Sequence, residues 1–160
     1  MTGPFWNSRC YAVLLLITSI LLGLAISGCQ SENPADKALS VDAAWTRPYD
    51  AQAGISSTAV YLTIHNRTDE PARLISAHIV QSDTIEIHQS IQDNGIMRMK
   101  PTPSVLIEAQ ESLAFKPGGH HMMVKGLQRS LDVGDRLEIT LGFANGHSIK
   151  TTALTMWDSE

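Results

Sequence analysis

The apolar residues of this chain recur at every second position in short runs. In Thr58–His65 they are Val60, Leu62 and Ile64; in Arg136–Ala144 they are Leu137, Ile139 and Leu141. A period of two places such side chains on one face of a strand. Similar runs, rich in β-branched and aromatic residues, predict strands over Leu39–Thr46, Thr58–His65, Arg73–Val80, Thr84–Ile91, Ile96–Lys100, Val105–Ile107, Ser112–Lys116, His121–Val124, Arg136–Ala144 and Ser148–Met156. Asp93-Asn94-Gly95, Gly118-Gly119, Val133-Gly134-Asp135 and Asn145-Gly146 supply turns between them. Asn145-Gly146 is a hairpin signal because both residues tolerate positive φ. No segment keeps a helical period over three turns, so the expected domain is all-β, a sandwich or a barrel. Trp45 is a candidate for its core.

One run breaks the alternation. Ala12 to Ile26 carries no charge over fifteen residues, fewer than the roughly 20 that span a bilayer as a helix. With Arg9 before it and small residues after it, the run reads as an export signal. It ends in Ile26-Ser27-Gly28-Cys29, which resembles the bacterial lipobox. That predicts a lipoprotein signal peptide over 1–28, cleavage before Cys29 and acylation of its thiol. Gln30 in the next position favours the outer membrane, by resemblance to Gram-negative lipoproteins. Residues 29–39 are polar and read as a tether, and 40–160 as one domain facing the periplasm.

Charge and cysteine count then narrow the chemistry. Residues 1–28 contain Arg9 and no acid, so 12 basic side chains become 11 against 16 acidic ones, a net −5. An acidic domain argues against a nucleic-acid partner. Cys10 and Cys29 are the two cysteines of the sequence, so the domain beyond them has no thiol for a metal, a disulfide or a nucleophile.

The methionines cluster. Met97, Met99, Met122 and Met123 lie within a window that His88, His120 and His121 flank or enter. On strands, Met97 and Met99 share one face, as do His121 and Met123, with His120 and Met122 opposite. Neighbouring strands would let the two pairs converge, and His88 could join them. A mixed imidazole and thioether set without thiolate or carboxylate selects Cu(I). Zinc prefers cysteine, histidine or carboxylate, and calcium and magnesium prefer oxygen. The plainer alternative is that Met97 or Met122 fills a core gap. His65, His78 and His147 stand apart and read as structural or solvated.

The spacing His88-x10-Met99-x21-His121-x-Met123 resembles the signature of the periplasmic copper chaperone family PCuAC. The resemblance extends through Ala44-Trp45-Thr46-Arg47-Pro48, the run Ala59 to Asn66, Gly95 to Met99 and Lys116 to Leu127, and covers roughly residues 40 to 157. It departs from the family at Gln89, where a methionine is common, and at His120, where an aromatic residue is common. The resemblance implies a cupredoxin-like Greek-key β-sandwich that is not an enzyme. It implies one Cu(I) held by His88, Met99, His121 and Met123, with Met97, His120 and Met122 as possible auxiliaries. It further implies delivery of copper by ligand exchange to cytochrome c oxidase subunit II or to a thiol-bearing assembly factor. Sequestration for copper tolerance and a metal-free interaction module are the alternatives. A blue-copper electron carrier would need a cysteine ligand that the domain lacks.

Overall fold

The computed structural model describes residues 38–54 and 57–158. The expected signal peptide, Cys29 and residues 29–37 of the expected tether lie outside the described residues. Leu39 is already buried within the first strand.

Ten strands form in chain order: β1 Leu39–Thr46, β2 Ser57–Asn66, β3 Ala72–His78, β4 Thr84–Asp93, β5 Ile96–Pro101, β6 Val105–Ile107, β7 Ser112–Phe115, β8 His120–Lys125, β9 Arg136–Phe143 and β10 Ser148–Thr155. Every strand read from the sequence is present, with ends unchanged or shifted by one or two residues. The sheet order is β5-β4-β8-β7-β2-β1-β10-β9-β3-β6, and β2 also pairs with β8. β1–β10 and β7–β8 are parallel; the other pairs are antiparallel. The open sheet folds over one core, with β2 against β6 and β3 against β4.

The period of two explains that core. Val60, Leu62 and Ile64 of β2 are buried, as are Leu137, Ile139, Leu141 and Phe143 of β9. Each such side chain contributes about 1.5–3 kcal/mol on leaving water. Asn66 ends β2 and is buried too. Its Nδ2 donates to the carbonyls of Glu70, Ile107 and Glu108, while its Oδ1 accepts from the Thr68 amide and hydroxyl. It ties the β2–β3 loop to the end of β6.

Trp45 departs from the expectation of a core residue. Along β1, Val41 pairs with Ile64 and Asp42 with Thr63, but Trp45 pairs with Tyr61. An unbroken register would set Trp45 against Val60 and drive the indole inward. One extra residue at a bulge, where Ala43 takes φ 48°, shifts the register and reverses the faces. Trp45 therefore lies on the outer face against the Tyr61 ring, centroids 4.4 Å apart, and Thr46 takes the inward position, fully buried.

The two Asn-Gly pairs behave differently. Asn94 and Gly95 both have positive φ, and Asp93 pairs directly with Ile96, the two-residue hairpin between β4 and β5. At the β9–β10 turn only Gly146 does. There Asn145 Oδ1 accepts from the His147 amide, and this side-chain bond replaces the left-handed conformation expected of Asn145.

Candidate metal centre

The site is built by strand order. β5 and β8, which carry the two His/Met or Met/Met pairs, are not neighbours; β4 lies between them and supplies His88. Across β4–β8, His88 pairs with His121 and Glu86 with Met123; across β4–β5, Ser90 pairs with Met99. Residues paired across a sheet share a face, and so do residues two apart on one strand. His88, Met99, His121 and Met123 therefore stand on one face of β5-β4-β8. This is the outer face, because the alternate residues Ile87, Met122 and Val124 are buried in the core.

A pocket of about 410 Å³ opens on that face, lined by Met99, His121 and Met123 together with Arg47, Tyr61 and Gly118. His88 lies beside it, its ring centroid 5.7 Å from that of His121. Both imidazoles are buried, at 7% and 4% exposure, whereas Met99 is 62% exposed on the β4–β5 hairpin.

The hydrogen bonds fix which nitrogen of each imidazole is available. His121 Nδ1 lies 3.2 Å from the Gly119 carbonyl oxygen. A carbonyl only accepts, so Nδ1 carries the proton, and Nε2 of the neutral ring is a lone pair. His88 Nε2 lies 2.9 Å from Glu86 Oε2, so there the proton sits on Nε2 and Nδ1 is the lone pair. His121 Nε2 and His88 Nδ1 are both buried and without a hydrogen-bond partner. Leaving a buried polar atom unpaired costs about 1–3 kcal/mol. Two such atoms on paired residues of one sheet face fit a pair of metal-binding nitrogens. A ligating histidine commonly gives its other N–H to a carboxylate or a backbone carbonyl, and each of these does so. Glu86 also accepts from Lys125 Nζ at 2.8 Å. The Lys125 hydrogen bond first, and that of His88 second, hold its carboxyl below the usual carboxylate range.

The remaining expected donors are placed otherwise. Met97 shares the face of Met99 but sits nearer the hairpin tip, paired with Gln92. Met122 has no solvent exposure and packs in the core, on the side of β8 opposite His121 and Met123. His120 is on the same reverse side, 5.7 Å from the Phe115 ring, and burial pushes its pKa down. Its Nδ1 is also unpartnered, but it projects away from the face that His121 shares with His88. Among the described residues, no group of three or more His, Cys, Asp or Glu side chains could hold a metal ion. The donors gathered here are two imidazoles and thioethers, a set for a soft cation.

Glu86, Lys125 and the Gly119 carbonyl were not read from the sequence. The signal for Glu86 was its place two residues before His88 on the same strand. A second polar cluster crosses the outer face elsewhere. His65 Nδ1 lies 2.6 Å from Ser112 Oγ, and His65 Nε2 2.8 Å from Asp42 Oδ2. The three residues stand on β7, β2 and β1, whose backbone is committed to strand pairing. The cluster ties three strands together.

The LpqE-like lipoprotein family matches residues 39–155. The protein RP573 of Rickettsia prowazekii is 31% identical over 131 residues, which cover 79% of this chain and 72% of that protein. Among solved structures, the Cu(I) form of DR1885 from Deinococcus radiodurans is similar at 27% identity and a TM-score of 0.57, covering 78% of this chain and 84% of that one. The copper-bound PCuAC domain of PmoF2 matches at 18% identity and a TM-score of 0.62, covering 76% of this chain and 94% of that domain. The PmoF2 likeness shows a shared fold, the cupredoxin-like fold expected from the sequence. On the extent of the family match, the chain belongs to the LpqE-like lipoprotein family, and its fold is that of PCuAC domains.

Proposed function

We propose that this protein carries copper in the cell envelope, binding one Cu(I) and handing it to a second protein. The observation that carries this reading is the pair of buried, unpartnered nitrogens, His88 Nδ1 and His121 Nε2, on a sheet face flanked by the sulfurs of Met99 and Met123. Neutral nitrogen and thioether donors without thiolate suit Cu(I). The copper-bound states of DR1885 and of the PmoF2 domain support the same choice of metal.

The unequal exposure of the ligands supports delivery over storage. Met99 stands on an exposed hairpin, while the imidazoles lie beneath the surface. An incoming thiolate displaces Met99 first, and the buried histidines release the ion afterwards. The acceptor in this reading is the copper centre of cytochrome c oxidase subunit II or a thiol-bearing assembly factor. Acylation at Cys29 holds the carrier at the membrane, facing the periplasm.

Anaerobic Cu(I) titration against a competing chelator, followed by X-ray absorption at the copper edge, tests the site. The expected result is one ion with two nitrogen and two sulfur neighbours. A spectrum without sulfur, or a stoichiometry of zero, ends the proposal.

A further inference from the structure

Strand β5 closes one end of the ten-strand order and, among the described residues, pairs only with β4. All six of its residues are exposed. Its free edge can be assigned residue by residue. Ile96 closes the hairpin against Asp93, and the Thr102 amide donates to the Ile87 carbonyl at 2.8 Å. In an antiparallel pair the bonded residues alternate, so Ile96, Arg98 and Lys100 turn their backbone toward β4. Met97 and Met99 turn theirs outward. The Ser90 amide agrees, since it donates to Gly119 on the β8 side and not to Met99. The outer edge of β5 thus offers the N–H and C=O of Met97 and Met99, beside the pocket that Met99 lines.

We propose that this edge is the docking strand for the copper acceptor: an extended acidic segment of the acceptor pairs with β5 and lays a copper-binding side chain next to Met99. The inference rests on the carrier reading above and adds the route of transfer. Exposed sheet edges bind extended segments through main-chain bonds, while alternate side chains set specificity. A strand added here puts every second side chain on the metal face.

Charge identifies the occupant. β5 carries Arg98 and Lys100 and no acid, on a domain whose net charge is −5 after residue 28 (11 basic, 16 acidic). Arg98 leans on Asp93 at 3.3 Å, and no ion pair is formed by Lys100 within the described residues. A second copy of this chain is a poor occupant, because antiparallel β5–β5 pairing sets these cations against one another, and like charges across strands repel. A strand bearing Asp or Glu fits them.

The test uses the full-length protein in detergent, without copper, and a short synthetic strand of alternating Thr and Glu around one central cysteine. Docking is read from hydrogen exchange. The amides of Met97 and Met99 should become protected, and a lysine version of the peptide should protect neither. Met97→Pro removes an outward N–H without removing a bond to β4 and should weaken docking about tenfold or more. Met97→Leu keeps that N–H and should dock like the wild type. Double reversal, Arg98→Glu with Lys100→Glu, should switch preference to the lysine peptide, and it keeps the test valid if the proline variant does not fold. Unprotected amides, equal docking by Met97→Pro, or β5 protection that grows with protein concentration in the absence of peptide would each overturn the proposal. Because the readout is metal-free, its failure is separate from a failure to bind Cu(I).

Discussion

His88 and His121 stand directly opposite one another across the β4–β8 pair, yet a different nitrogen of each is left without a hydrogen-bond partner. The Glu86 carboxylate accepts a hydrogen bond from His88 Nε2–H, and the Gly119 carbonyl accepts one from His121 Nδ1–H. Two residues 33 positions apart in sequence are thereby made into a matched pair by strand register and by what lies behind each ring.

The neighbouring histidines should separate cleanly. His121→Ala removes a nitrogen from the site face and should lower Cu(I) affinity by more than about 100-fold, beyond the loss expected for a supporting partner. His120→Ala acts on the reverse side of β8 and should change affinity little. Competition titrations with a Cu(I) chelator decide it, and an equal loss from both variants would mean that β8 does not present them to opposite faces.

The strands and the two donor pairs were legible because both follow from a period of two, while His88 and the choice of Met99 came from the resemblance in spacing. Alternation named the buried residues of β2 and β9, and the same parity grouped Met97 with Met99 and His121 with Met123. Parity within a strand says nothing of order between strands, so the place of β4 between β5 and β8 was not readable. Nor was the bulge at Ala43, which turns Trp45 outward: one inserted residue reverses every face after it. Glu86 was hidden for another reason. A carboxylate on an exposed strand face is ordinary until the imidazole two residues on is known to be buried.

Met122 and Met123 offer a similar contrast between packing and chemistry. Met122 is fully buried in the core, and Met122→Ala should cost about 2–5 kcal/mol of stability while one Cu(I) still binds. Met123→Leu nearly conserves volume and should cost less than about 1.5 kcal/mol, but it removes a thioether from the pocket and should weaken Cu(I) binding. Denaturant melts and copper titrations on the same samples make the comparison. Loss of copper with Met122→Ala in the folded protein would place the sulfur of Met122 at the site.

Attachment to the membrane should depend on a single atom. Cys29 is the cysteine at the expected cleavage point, and stable anchoring by acyl chains needs more than one of them. Cys29→Ser should abolish incorporation of labelled fatty acid and leave the protein in the soluble envelope fraction. Fatty acid retained on the serine variant would locate lipidation elsewhere.

Glu86 is the residue through which pH and copper binding meet. Its carboxyl is held below its ordinary value of 4.5, first by Lys125 and then by His88. A depressed carboxyl pKa gives a stabilising contribution that is complete above the unfolded value and lost as pH falls through the folded one. Between neutrality and about pH 5, Glu86 therefore stays ionised, and its hold on the His88 ring persists across that range. Glu86→Gln removes the charge that keeps the His88 proton on Nε2, and it should lower affinity about 10–100-fold at neutral pH. The affinities of wild type and variant should stay apart down to about pH 5. They should converge only below the ordinary carboxylate range, once the wild-type carboxyl is also protonated. Nitrogen-15 NMR of the His88 ring supplies a readout independent of copper: one tautomer in the wild type, a mixture in the variant. A single unchanged tautomer together with unchanged affinity would show that Glu86 serves Lys125 alone.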